Sequence, residues 1–128
     1  MKTLAQRMSE IDELRPPAQI AVFVDVLGLE LTIEFLLAFG GSAIQLSRRP
    51  QAGSLLSGIL SLEQISALAD ATGGGWHRVP TCKPFLCSYF SAKNMSVSAI
   101  ARKLHITDTT VRSMIRREAD RMQLSLFD

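Results

Sequence analysis

The apolar and polar positions over residues 96–117 predict two short helices joined by a tight turn. Apolar residues recur there at intervals of three and four, which is the spacing of one face of an α-helix. They are Val97, Ile100, Ala101 and Leu104 in the first helix, and Val111, Met114 and Ile115 in the second. Ile106 lies between the helices as an apolar plug, and the small Ala101 is expected where they cross closely. This arrangement is typical of a helix-turn-helix.

The second of these helices has a polar face suited to nucleic acid. Thr107 is a predicted N-cap, and Asp108 in the first turn suits the positive helix end. The polar face carries Thr109, Thr110, Arg112, Ser113, Arg116 and Arg117. Such side chains can bind base edges and phosphates in a major groove. The alternative is a surface hairpin whose charges are merely solvated. His105 stands in the turn where glycine is usual. That position often needs a left-handed backbone, which histidine adopts only at some cost, so we expect a turn slightly different from the common one.

The first part of the chain contains an internal repeat with a period of 33 residues. Residues 15–41 and 48–74 match at eight of 27 positions, including the glycine pairs 40–41 and 73–74. The alternative is that two helices converged on common residues. Each copy predicts a helix (18–27 and 51–60), a second helix (29–39 and 62–72) ended by the glycines, and a short strand (42–47 and 76–80). The strands could pair with each other or with those of a second chain.

Two further helices complete the expected fold. Residues 2–14 predict a helix that ends at Arg15-Pro16-Pro17, and its packing on the body or on a partner is left open. Cys82–Ala92 predicts a support helix with Phe85, Leu86, Tyr89 and Phe90 inward, and Lys93-Asn94 ends it. The expected fold class is mainly α. A helical region with two short strands (1–80, with repeats at 15–47 and 48–80) precedes a three-helix helix-turn-helix domain (81–128), whose tail 124–128 frays or docks on a neighbour.

The charge of the chain is concentrated on the helix-turn-helix. The net charge of +2 divides into −2 over residues 1–80 and +4 over residues 81–128. A basic surface beside the motif is what phosphate binding requires. No apolar run predicts a membrane span and no secretory signal opens the chain, so we expect a cytoplasmic, nucleoid-associated protein without a membrane partner.

The sequence favours a protein without enzymatic chemistry. It contains no G-x-S-x-G, no phosphate-binding G-x-x-x-x-G-K and no H-E-x-x-H. Cys82 and Cys87 are too few for a structural zinc site, so no metal and no cofactor are expected. They are interpreted as buried or free thiols. His77 near Cys82 is a weak nucleophile–base pair, because nothing orients it. Trp76 is interpreted as a core or interface anchor.

In the order of these motifs along the sequence, the chain resembles the Mor transcription activator family of phage middle-operon regulators and related proteins of mobile elements. The resemblance covers about residues 59–117 and rests on ALADATGGGWHRVP (67–80), KPFLCSYFSAKN (83–94) and SVSAIARKLHITDTTVRSMIRR (96–117). It implies a dimerisation region followed by a DNA-binding domain. Gly73, Gly74, Val79 and Pro80 match the family's helix–strand junction. Arg78 departs from the usual apolar residue, and the connection after Pro80 is short.

The function predicted from the sequence is sequence-specific binding of double-stranded DNA to regulate transcription. The expected base-reading residues are Thr109, Thr110, Arg112 and Ser113. The expected phosphate-binding residues are Lys93, Arg102, Lys103, Thr107, Arg116 and Arg117. The expected partners are duplex DNA, a second copy in a homodimer and, for an activator, RNA polymerase. The alternative is an interaction protein, such as an antiactivator or antitoxin-like regulator, that docks through its apolar middle segment. The repeat adds the hypothesis of a pseudo-dimer within one chain.

Overall fold

The computed structural model describes residues 14–125, with side chains described for residues 14–123. This part of the chain is mainly helical with two antiparallel strands, which confirms the predicted fold class. The predicted helix over residues 2–14 lies outside the described residues except for Leu14, which is not helical, and residues 126–128 of the tail also lie outside. The elements are α1 (Ala21–Leu27), α2 (Leu29–Phe39), β1 (Ala43–Leu46), α3 (Leu62–Thr72), β2 (Gly75–Arg78), α4 (Lys83–Ala92), α5 (Val97–Leu104) and α6 (Asp108–Ser125), with short 3-10 helices at Ala18–Ile20 and Leu55–Gly58.

The chain divides into two units. The N-terminal unit is Pro17–Thr81, and the C-terminal unit comprises the described residues 14–16 and 82–125. In the N-terminal unit, α1 packs against α2 and α3, and α3 packs against β1. Its core contains a row of aromatic rings, with centroids 5.2 Å apart for Phe23 and Phe35 and 5.6 Å apart for Phe35 and Phe39.

Local sequence signals fix both ends of α3. The Ser61 hydroxyl accepts a hydrogen bond from the Gln64 N–H at 3.1 Å, and the Gln64 side chain accepts one from the Ser61 N–H at 2.9 Å. This reciprocal capping box satisfies two amide donors that would otherwise lack a helical partner. At the other end Gly73 has φ +90°, a left-handed conformation that glycine adopts without a Cβ clash. The predicted bounds of 62–72 are confirmed.

The helix predicted over residues 51–60 is wrong. Residues 51–54 form a turn and irregular chain, and only Leu55–Gly58 is helical, as a single 3-10 turn. Gly53 and Gly58 lower the helix propensity of the segment. The Ser54 side chain accepts a hydrogen bond from the Leu56 N–H at 3.3 Å, a local bond that favours a short turn. The two repeats therefore differ in their first helix.

The two strands pair with each other within the chain. The antiparallel register joins Ala43 to Arg78, Ile44 to His77, Gln45 to Trp76 and Leu46 to Gly75. Its central pair, Ile44 and His77, is separated by the 33 residues of the repeat. Antiparallel pairing about two equivalent positions is what a local two-fold axis between the repeats produces. The register thus supports the predicted internal repeat.

The residues of both strands alternate between more exposed and more buried positions. Ile44 and Leu46 are buried, whereas Ala43 and Gln45 are exposed. On the second strand Trp76 and Arg78 are exposed, His77 is half-buried and the following Val79 is buried. Trp76, with 70% of its surface exposed, is therefore not a core residue of this chain.

The C-terminal unit is a three-helix arrangement built on α4. This support helix packs against α5 and α6, which also contact each other. Its four predicted inward residues, Phe85, Leu86, Tyr89 and Phe90, are buried. It begins one residue later than predicted, because Cys82 has φ +48° and precedes the helix. Among the described helices, none combines the length and the apolar character needed to cross a membrane.

Candidate nucleic-acid interface

The turn between α5 and α6 has the geometry of a helix-turn-helix. Ser96 caps α5 by accepting a hydrogen bond from the Ala99 N–H at 3.1 Å. His105 follows the helix with φ +59° and ψ +46°, the left-handed conformation that glycine usually supplies there, so the expected departure from the common turn is not found. The Ile106 N–H then donates to the Ala101 carbonyl at 3.0 Å and closes the end of α5. The chain direction thus changes within three residues.

Thr107 caps the second helix as predicted. Its Oγ1 accepts a hydrogen bond from the Thr110 N–H at 3.1 Å and lies 2.8 Å from the Thr110 Oγ1. The helix that starts at Asp108 continues to Ser125, eight residues beyond the predicted end at 117. The cap anchors the first turn, which contains two of the four predicted base-reading residues, Thr109 and Thr110.

Small and apolar side chains hold α6 against the other two helices. Val111 and Ile100 are fully buried, and Ala101 and Leu104 are each 5% exposed. The Cys87 thiol lies 3.9 Å from the Met114 sulfur. Burial of these positions fixes the rotation of α6 about its own axis, so its opposite side faces solvent.

The solvent side of α6 carries the polar face predicted to contact DNA, called the reading face below. Thr109, Arg112 and Ser113 are exposed in its first turns, and Arg116 and Arg117 follow. Among the described residues, the guanidinium groups of the three arginines have no hydrogen-bond or ion-pair partner. Thr110 differs, because it is half-buried and its hydroxyl bonds with Thr107. Five of these side chains are therefore available to a ligand without first breaking an internal bond.

The other predicted phosphate-binding cations surround this face on α5 and at the end of α4. Arg102 is exposed and donates to the Ser98 hydroxyl at 3.0 Å. The Lys103 ammonium lies 5.3 Å from the centre of the Phe90 ring, and the Lys93 ammonium lies 5.4 Å from the centre of the Tyr89 ring. A cation over an aromatic face is attracted to it, which narrows the space that each lysine samples.

Sequence reasoning missed the features that end the reading face. Glu118 is 7% exposed and accepts from Arg121, with Nη2 at 2.8 Å and Nε at 3.1 Å. The same Arg121 donates to the Arg15 carbonyl at 2.6 Å, a contact between positions 106 residues apart that no local pattern reveals. Asp120 is exposed and lies one turn beyond Arg116 and Arg117. A carboxylate there would repel phosphate, so the predicted phosphate-binding face of α6 ends near Arg117.

Neither Cys82 nor Cys87 forms a disulfide, and both are buried, as predicted. Burial raises the pKa of the Cys87 thiol to about 11, and the nearby positive charge of Lys83 opposes this shift. Within residues 14–125 no group of three or more histidine, cysteine or acidic side chains is arranged to hold a metal ion. His77 bonds with the Gly74 carbonyl at 2.8 Å.

In comparisons with known proteins, the chain matches no protein-family model, no curated protein and no solved structure. The resemblance to Mor-type activators therefore rests on the sequence motifs and stays a prediction.

Proposed function

We propose that this chain is a sequence-specific double-stranded DNA-binding regulator of transcription that inserts the start of α6 into the major groove. The observation that carries the proposal is the exposed threonine, serine and arginine face over residues 109–117. Its arginines have no internal partner in the part of the chain that the structure describes, and it lies opposite the fully buried Val111. A capped helix with this surface has the size and donor pattern that a major groove accepts.

In the proposed complex the residues divide into two roles. Thr109, Arg112 and Ser113 read base edges, with Arg112 suited to guanine because it donates two parallel hydrogen bonds. Arg116, Arg117, Arg102, Lys103 and Lys93 bind phosphates and supply the salt-dependent part of the affinity. Thr107 and Thr110 act mainly through the cap, which presents the first-turn amides to a phosphate.

The biological setting is also a proposal. The resemblance to Mor-type activators supports a phage or mobile-element regulator that acts on DNA in the cytoplasm. A single reading helix covers few base pairs, so two copies on half-sites about one helical turn, roughly 34 Å, apart would give useful specificity. An activator of this kind would also contact RNA polymerase.

Selection of bound duplexes from a random library tests the proposal directly. We expect enrichment of a short G-containing motif, present twice if two copies bind. The affinity for the selected site should fall steeply between two salt concentrations, because phosphate contacts release counterions. Retention of random duplex with no enriched motif would reduce the protein to a nonspecific binder. No retention at low salt would end the proposal.

A further inference from the structure

The N-terminal unit contains an open groove beside β1 that the proposed DNA interface does not use. Its volume is about 660 Å³. Consecutive residues of β1 line it, namely the exposed Ala43 and Gln45 and the buried Ile44 between them. A cavity that touches both faces of a strand lies at the strand's free edge. The segment that follows β1, from Arg49 to Leu56, lines the groove as well.

At the free edge of β1, backbone groups have no partner among residues 14–125. The Val79 N–H donates to the Ser42 carbonyl at 2.8 Å, so by the alternation of an antiparallel ladder Ile44 and His77 form a hydrogen-bonded pair. The N–H and C=O of Ala43 and Gln45 then point away from β2, into the groove. The strand carries no charge or proline, the features that usually block pairing at an edge.

The groove also has apolar surface for side chains. Ile65 and Leu56 lie buried at its base, at 1% and 3% exposure. Leu55 is 81% exposed and Trp76 is 70% exposed, both unusual for such large apolar side chains in a free surface. An extended segment on β1 would place alternate side chains against these residues, as in strand addition to a sheet edge.

One charge distinguishes the groove. Arg49 is the charged residue among those that line it, and its guanidinium has no partner among the described residues. The adjacent Arg48 is paired with Asp70 at 2.9 Å. An unpaired guanidinium beside a strand edge favours a carboxylate on the incoming segment.

These features select among occupants. In an antiparallel pairing of two copies of β1, the facing residues 43–46 (AIQL) contain no acid. The strand of a second copy thus brings no carboxylate of its own to the Arg49 guanidinium. We propose that the groove binds an extended peptide segment of another protein, with alternating apolar side chains and one aspartate or glutamate that pairs with Arg49.

An unbiased peptide library tests this inference. The full chain is immobilised and used to select from random decapeptides displayed on phage. We expect enrichment of sequences with one acidic residue and apolar residues at alternate positions. Because Trp76 is the single tryptophan of the chain, a synthetic selected peptide should change the tryptophan emission of the protein directly.

Neighbouring arginines provide a matched pair of variants. Arg49→Gln should weaken the selected peptide about tenfold, the loss expected for one charge-assisted hydrogen bond. Arg48→Gln should change it by less than about twofold, because that side chain does not line the groove. In an added strand, alternate peptide amides point toward β1 and away from it. N-methylation of the first set should abolish binding, and N-methylation of the second set should not. Neither arginine variant should alter DNA affinity, which keeps this test separate from that of the proposed function.

Three outcomes would overturn the inference. One is a library that yields no acidic, alternating consensus. Another is an equal response to Arg49→Gln and Arg48→Gln. The third is a stable dimer in sedimentation that dissociates when Gln45→Pro is introduced. This variant removes an outward N–H and leaves the β1–β2 hydrogen bonds in place. Dissociation would therefore mean that a second copy occupies the edge of β1. If that variant does not fold, the N-methylated peptides test the same backbone contact.

Discussion

At the scale of single residues, the side chains of α6 divide into those that hold the helix and those that remain available. Val111 is buried and Thr107 is committed to the cap, whereas Arg112 and Arg117 have no described partner. The sequence could predict this division, because burial on a short helix follows the spacing of apolar residues. It could not show that the Thr110 hydroxyl is engaged, since that depends on the rotamer of its neighbour.

Two arginines of α6 should respond differently to truncation. Arg112→Ala is expected to cost about 1–3 kcal/mol on the selected DNA site and to relax the choice of base, because it removes a bidentate contact. Arg117→Ala should weaken all duplexes alike and lower the salt slope by about one. Binding isotherms on specific and random DNA measure both. If Arg112→Ala weakens the two duplexes equally, Arg112 does not read bases.

His105 carries a measurable backbone cost. A left-handed conformation costs a non-glycine residue about 1–2 kcal/mol. Glycine avoids this cost but loses more conformational entropy on folding, which offsets part of the stability gained by the substitution. His105→Gly should therefore raise the free energy of unfolding by up to about 1 kcal/mol. Lys103→Gly, in the last turn of α5, is the control and should lower it by up to about 1 kcal/mol. Denaturant titration gives both values, and a destabilised His105→Gly would contradict the assignment of strain.

The Cys87 thiol should make stability depend on alkaline pH. Its pKa is raised to about 11 in the fold, above the ordinary value of about 8.5, so the unfolded chain loses this proton first. The stabilisation is fully present below about pH 8.5 and is lost as the pH rises through about 11. Thermal melts of the native chain and of Cys87→Ala between pH 7 and pH 11 should converge. Rapid alkylation of Cys87 at pH 8 in the folded protein would show that it is not buried.

At the scale of elements, helices with strong end signals could be predicted and weak ones could not. The bounds of α2 and α3 follow from Gly28, Ser61 and the glycine pairs. The first helix of the second repeat could not be obtained by analogy with Ala21–Leu27, because Gly53 and Gly58 interrupt it. The length of α6 was underestimated, since its last turns depend on the contact of Arg121 with Glu118 and the Arg15 carbonyl.

The pair at the end of α6 should be strongly coupled. Arg121→Ala leaves the buried Glu118 carboxylate without its partner and should cost about 1–3 kcal/mol or more of unfolding free energy. The double variant Glu118→Leu with Arg121→Leu removes both charges and should recover much of that loss. A double-mutant cycle of urea titrations measures the coupling. Additive effects would show that the two side chains act independently.

At the scale of the whole chain, the repeat explains how the two strands find each other. A periodicity of 33 residues predicted equivalent strands, and the structure pairs them about Ile44 and His77. Sequence alone left open whether the partner strand belongs to the same chain. That choice depends on the path of the connecting residues 47–61, whose irregular turns contain few of the signals that patterns detect.

A cross-link distinguishes pairing within one chain from exchange between chains. Ala43 and Arg78 face each other at an exposed, non-hydrogen-bonded position of the ladder, where Cα atoms lie close enough for a disulfide. Ala43→Cys combined with Arg78→Cys should oxidise within the chain and run as a monomer on a non-reducing gel. Each single variant is the control. A covalent dimer from the double variant would mean that the strands are exchanged.

The pairing of Ile44 with His77 has an evolutionary consequence. A symmetric homodimer must place one side chain twice at its axis, so every substitution there is made on both sides at once. Here the two positions are encoded separately, and an aliphatic residue faces an imidazole. One copy can change its strand or its first helix while the other keeps the original architecture. Two copies of a unit joined in one chain can therefore diverge, whereas the two identical chains of a homodimer cannot.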